Sequence, residues 1–144
     1  MEKSMVGQCL CRYIAFKVLG CLPNLYQCHC SLCRKLSGST SDTATFLNIE
    51  QFQWVKGTDA ISSFILESGY RSDFCKRCGS TVPHLMQNEV QYWIPAGLLE
   101  QDADSMVTAH LFVESKASWD VVSGDAIQYS TMPDMDTLNK KLQK

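Results

Sequence analysis

The chain has 144 residues, 45% of them hydrophobic, with 13 Lys and Arg against 15 Asp and Glu and a formal net charge of −2. That is enough chain to bury one core and too little for two full domains, so a single domain over 1–144 is expected, with its core at about 6–130. A pI near 5.9 gives no reason to wrap a polyanion, and no apolar run approaches a secretory core or a membrane span. The expectation is therefore a cytoplasmic protein with no nucleic-acid or membrane partner. The oligomeric state is not encoded in any pattern of this sequence.

In chain order, the first feature is a pair of cysteines, Cys9-x-Cys11, running into a strand predicted over 11–19. Gly20 and Pro23-Asn24 punctuate the end of that strand, and Cys21 stands alone between them. Next comes "CHCSLC" at 28–33, with three cysteines and a histidine in six positions. A short helical turn over 31–36 is closed by Ser37-Gly38. Strands follow over 43–49 and 61–66, separated by Lys56-Gly57-Thr58-Asp59. After Ser68-Gly69 the pair Cys75-x-x-Cys78 is followed directly by Gly79, which lets the chain reverse with amide groups free to face thiolates. Strands at 90–94 and 108–113 flank Gly97. The tail, 134–143, reads as a helix started by Pro133 and Asp134, with Met135, Leu138 and Leu142 at helical spacing for packing onto the sheet. The fold class is mostly β with a short C-terminal helix.

Eight cysteines in a reducing compartment point to metal binding or redox chemistry before disulfides. A Cys-x-Cys or Cys-x-x-Cys pair sets two sulfurs on one side of a tight turn, within reach of a zinc ion at about 2.3 Å per Zn–S bond. Seven clustered thiolates do not fill two four-sulfur sites, so the division that joins the pairs is Cys9, Cys11, Cys75 and Cys78 as a closed structural zinc site. Cys28, Cys30 and Cys33 then form an open, catalytic zinc site, since catalytic zinc keeps three protein ligands and one free position. That makes two zinc ions per chain. Alternatives stay open: His29, His84 or His110 as a fourth ligand closing the second site, or a redox role for Cys30 and Cys33. Cys21 reads as a free thiol. Arg34 and Lys35, directly after the last ligand, are candidate receivers of substrate carboxylates. His29 and His84 are candidate proton carriers.

An ordered set of motifs, "GQCLC" at 7–11, "CHCSLCRKLSGS" at 28–39, "FCKRCGS" at 74–80, "IPAGLLEQ" at 94–101 and "HLFVESKASWD" at 110–120, resembles the glutathione-dependent formaldehyde-activating enzyme family. This is the Gfa or centromere-protein-V-like domain family, and the resemblance runs from about Gly7 to Val122. It implies an Mss4-like fold of stacked, twisted antiparallel sheets around zinc sites. It also implies condensation of formaldehyde with glutathione to S-hydroxymethylglutathione, a carbon–sulfur lyase reaction in reverse, with a small thiol as partner. The family's metal pattern falls on Cys9, Cys11, Cys75 and Cys78 for the structural zinc and on Cys28, Cys30 and Cys33 for the catalytic one. Ser118 stands where the family usually has Pro, and Leu99-Glu100 where Leu-Asp is usual; neither position is a metal ligand. The rival reading is a non-catalytic, zinc-stabilised binding module of the same fold, for which Tyr92, Trp93 and Trp119 would be candidate surface aromatics.

Overall fold

The computed structural model describes residues 3–100 and 104–144, so Gln101 of the 94–101 motif lies outside the described residues. Among them, eleven strands and two α-helices are joined by short 3-10 turns. The chain divides into two compact units, Met1–Leu22 with Phe46–Ala103 and Pro23–Thr45 with Asp104–Lys144.

In the first unit, β1 (Ser4–Gln8), β2 (Ala15–Leu19) and β5 (Phe52–Lys56) form an antiparallel sheet in the order β1-β2-β5. Its inner face is aromatic. Phe16 is fully buried, with its ring 5.6 Å from that of Phe52, and Phe52 stacks on Tyr92 at 4.0 Å. Trp54 meets Phe52 edge-on at 5.0 Å, a geometry in which ring edge and face are of opposite charge. Tyr92 and Trp93 lie on β9 (Gln91–Pro95), which pairs with the two-residue β8 (His84–Leu85). Both aromatics are half-buried, so they serve packing more than display. A separate hairpin, β6 (Ile61–Ile65) with β7 (Arg71–Cys75), delivers Cys75 at its end.

In the second unit, β3 (Leu25–Cys28) lies between β4 (Asp42–Asn48) and β10 (Val107–Leu111), and the two-residue β11 (Ile127–Gln128) adds to the far side of β10. β4 begins here and crosses the unit boundary after Thr45. β3 pairs antiparallel with β4 but parallel with β10, as does β11. Phe112 takes a left-handed φ of 57° and ends β10 two residues before the end predicted from its apolar run. α1 (Ser31–Ser37) is capped by Gly38 in the left-handed region, as the Ser-Gly pair predicts. α2 (Met135–Leu142) starts at Asp134, whose carboxylate accepts the Thr137 N–H at 2.8 Å and the Thr137 hydroxyl at 2.9 Å. Leu138 and Leu142 are buried on the face packed against β10, and the Leu142 carbonyl accepts the Asn24 N–H. No helix among the described residues is long and apolar enough to cross a membrane.

Candidate metal centres

Two tight turns bring Cys9, Cys11, Cys75 and Cys78 together within the first unit. In one, the Arg12 N–H donates to the Cys9 carbonyl at 3.0 Å and Arg12 adopts φ 69°; in the other, the Gly79 N–H donates to the Cys75 carbonyl at 2.7 Å with φ 83°. The second turn has the glycine that such a φ favours, whereas the first spends an arginine there. The Ile14 N–H points at the Cys9 sulfur at 3.3 Å, and the Leu10 N–H donates to Ser80 Oγ at 2.8 Å, stitching the knuckles to each other. Cys9 and Cys75 are also part of an apolar cluster with Ile14, Ala60 and Val82.

The four sulfurs lie within 4.8 Å of one another, with Cys9 to Cys11 at 3.6 Å and Cys11 to Cys75 at 3.8 Å. Four sulfurs at tetrahedral angles and zinc–sulfur bond length would stand about 3.8 Å apart, so the donor set fits such an ion closely. All eight cysteines are free thiols. Their electrostatics also ask for a cation. Burial opposes the Cys78 thiolate, but the Ser80 hydroxyl and amide and neighbouring groups bring it down to about 5. At Cys11 the backbone amide of Tyr13 favours the thiolate, yet burial and the sulfurs of Cys9, Cys78 and Cys75 push it up to about 11. Crowded thiols do not all ionise unless a positive charge is placed among them.

The second cluster is built from one loop. Cys28 ends β3, Cys30 is the N-cap of α1 and Cys33 sits in its first turn, and their three sulfurs also lie within 4.8 Å of one another. The Cys33 N–H donates to the Cys30 sulfur at 3.3 Å, a capping bond in which sulfur takes the role usually filled by oxygen. Burial raises the Cys30 thiol, opposed by that same amide. Both cysteine groups could therefore hold a metal ion, the first with four sulfurs and the second with three.

None of the histidines joins either group. The His29 ring turns to His110, with His29 Nε2 3.0 Å from His110 Nδ1. His84 belongs to the other unit, packed on Trp93 at 5.2 Å, and burial lowers its pKa. Arg34 is half-buried in the last turn of α1, and its Nε is buried without a hydrogen-bond partner; Lys35 is exposed. Cys21 is exposed and outside both groups, and Trp119 is 71% exposed. Sequence reasoning missed Asp42, the cross-strand partner of Cys28 on β4. Burial alone raises its carboxyl to about 6. Only the alternation of "SDTATF" could have marked it, and its partner strand is too short to be read from propensity.

The profile of the family described as glutathione-dependent formaldehyde-activating enzyme matches residues 4–115, most of the chain. No curated protein matches the chain. Among solved structures, that of a Rhodobacter sphaeroides protein is similar over 72% of this chain and 100% of that one, at 19% identity and a TM-score of 0.57, a likeness of fold. Motif order, knuckle geometry and the extent of the profile match agree, and the chain belongs to the glutathione-dependent formaldehyde-activating enzyme family.

Proposed function

We propose that the chain is a zinc-dependent carbon–sulfur lyase-type enzyme that interconverts glutathione plus formaldehyde with S-hydroxymethylglutathione, or catalyses a related thiol-adduct reaction. In this reading Cys9, Cys11, Cys75 and Cys78 hold a structural zinc, and Cys28, Cys30 and Cys33 hold the catalytic one. The observation that carries it is the three-sulfur cluster: three donors converge from one loop, and no histidine among the described residues comes within reach to complete the set. The fold is taken as Mss4-like and the compartment as cytoplasmic.

A zinc ion held by three thiolates carries a formal charge of −1, is a weak Lewis acid, and supplies an exchangeable position suited to a substrate sulfur or a small oxygen ligand. The chain's own residues would bind and orient around it. The Cys33 N–H holds the Cys30 sulfur at the start of α1. Arg34 and Lys35 are the cations nearest in sequence to that loop, and the unpaired Arg34 Nε supports a role for it in receiving a carboxylate. In the reaction the thiol gives up its proton, a carbon–sulfur bond forms at the aldehyde carbon, and the aldehyde oxygen takes up a proton. Proximity of the two small reactants would provide most of the acceleration.

The test is magnetisation-transfer NMR of exchange between glutathione and S-hydroxymethylglutathione, with formaldehyde and the zinc-loaded protein. The expected result is exchange above the uncatalysed rate that disappears in Cys30→Ser. Exchange at the uncatalysed rate would move the assignment to another thiol or to the non-catalytic binding module.

A further inference from the structure

We propose that His29 is a positioning residue for the three-cysteine site, hydrogen-bonded to His110 and facing the Asp120 carboxylate so that the loop joining Cys28 to Cys30 keeps its shape when the site's fourth position changes occupant. The inference rests on the reading of that cluster as a metal site with an exchangeable position.

His29 lies directly between two of the three cysteines, and its side chain is 2% exposed. Its backbone N–H donates to the Leu111 carbonyl at 2.9 Å, which carries the loop on from the β3–β10 ladder. The ring is hydrogen-bonded at one end, and at the other its Nδ1, buried without a hydrogen-bond partner, faces a carboxylate. Nε2 stands 3.0 Å from His110 Nδ1, and Nδ1 stands 3.7 Å from an Asp120 oxygen. Neither anchor belongs to the loop. His110 sits in β10 with its carbonyl accepting the Tyr129 N–H at 2.8 Å, and is 7% exposed. Asp120 is presented by a turn closed twice, by its own N–H to the Ala117 carbonyl at 3.0 Å and by Lys116 Nζ to the Asp120 carbonyl at 3.0 Å.

The facing nitrogens restrict the tautomers. If His29 donated from Nε2, its bare Nδ1 would face the Asp120 carboxylate, lone pair against negative charge. With neutral rings, one arrangement avoids this: His29 carries its proton on Nδ1 towards Asp120, and His110 donates from Nδ1 to His29 Nε2. The result is a directed array, Asp120 to His29 to His110, that admits one orientation of the His29 ring.

A four-sulfur site is shaped by its own ion on all sides. Three sulfurs around an exchangeable position lack one of those restraints, and the geometry between Cys28 and Cys30 must be held from behind. Hydrogen-bonding groups behind metal ligands commonly set affinity by about 10–100-fold.

The experiment uses the full-length protein with zinc, titrated by competition with a chromophoric chelator, and the cobalt-substituted protein for its ligand-field spectrum. The variants are His110→Phe, Asp120→Ala and the conservative Asp120→Asn, which keeps a side-chain oxygen facing His29 Nδ1. In the first two, the affinity of the weaker site should fall about 10–100-fold, with a shifted cobalt spectrum for that site. The four-cysteine site should be unaltered, and Asp120→Asn should restore the parent behaviour. Unchanged affinity and spectrum in both disruptive variants would overturn the proposal. So would loss of both ions together with a lowered melting temperature, which is what a merely structural role predicts. A parent protein that binds a single ion would instead overturn the underlying reading of the triplet as a metal site. None of these readouts uses glutathione, so a wrong substrate assignment leaves the test standing.

Discussion

Asp42 shows what one buried charge does beside a cluster of thiols. Its carboxyl would titrate near 3.8 in the unfolded chain and is raised by burial to about 6 in the native one. Between those values the native state binds more protons than the unfolded state, so stability falls as pH rises across the interval and stays reduced above it. Asp42→Asn removes that penalty. The variant should exceed the parent by on the order of 2–3 kcal/mol in urea unfolding near neutral pH, and the gain should vanish at about pH 4. Comparing the two proteins at each pH cancels the common effect of acid on the cysteine groups. An equal gain at both pH values would mean that packing, not ionisation, distinguishes the side chains. At this scale the two cysteine groups that could hold a metal were legible because sulfur is chemically unambiguous and the spacing is short. The partners of His29 were not, since Asp120 and His110 are 91 and 81 positions away, and only a β ladder and a closed turn bring them to one ring.

At the scale of elements, β-branched and aromatic runs marked β2, β4, β6, β9 and β10 to within a few residues, and the helix caps marked α1 and α2. The strands that were not legible have local reasons for it. β3 is four residues behind a Pro-Asn turn. β7 begins Arg-Ser-Asp, a loop-like string that is paired because Arg71 grips Asp73 with two bonds of 2.9 and 3.2 Å. β1 contains Gly7, which ordinarily weakens a strand. Here it is required: Gly7 faces Phe16 across the ladder, and a Cβ on it would meet the buried Phe16 ring head-on. Gly7→Ala should therefore cost about 1–3 kcal/mol, the usual penalty for forcing volume into a filled core. Urea unfolding of the zinc-loaded protein measures it. A neutral result would mean that the Phe16 ring, and with it the contacts to Phe52 and Trp54, is free to shift.

For the whole molecule, the two cysteine groups differ most in the length of chain that they close. An ion among Cys9, Cys11, Cys75 and Cys78 would join residues 64 positions apart, whereas one among Cys28, Cys30 and Cys33 stays within six residues of sequence. Treated as cross-links that remove chain entropy from the unfolded state, loops of these lengths contribute roughly 4 and 2 kcal/mol at 25 °C. The longer closure also fastens the turn before β2 to the end of the β6–β7 hairpin, beside the apolar cluster of Ile14, Ala60 and Val82. Stripping the metal with a chelator should therefore proceed in two unequal stages. The first equivalent, leaving the incomplete three-sulfur set, should change the melting temperature little. The second, leaving the four-sulfur set, should lower it steeply and expose the cluster. Cys30→Ser should show only the second stage, and Cys75→Ser should begin in the destabilised condition. Calorimetry alongside chromophoric detection of released metal separates the stages. If the first equivalent released carried most of the stability, the three-cysteine loop would have to organise far more of the chain than its own six residues, and its assignment as the exchangeable site would fail.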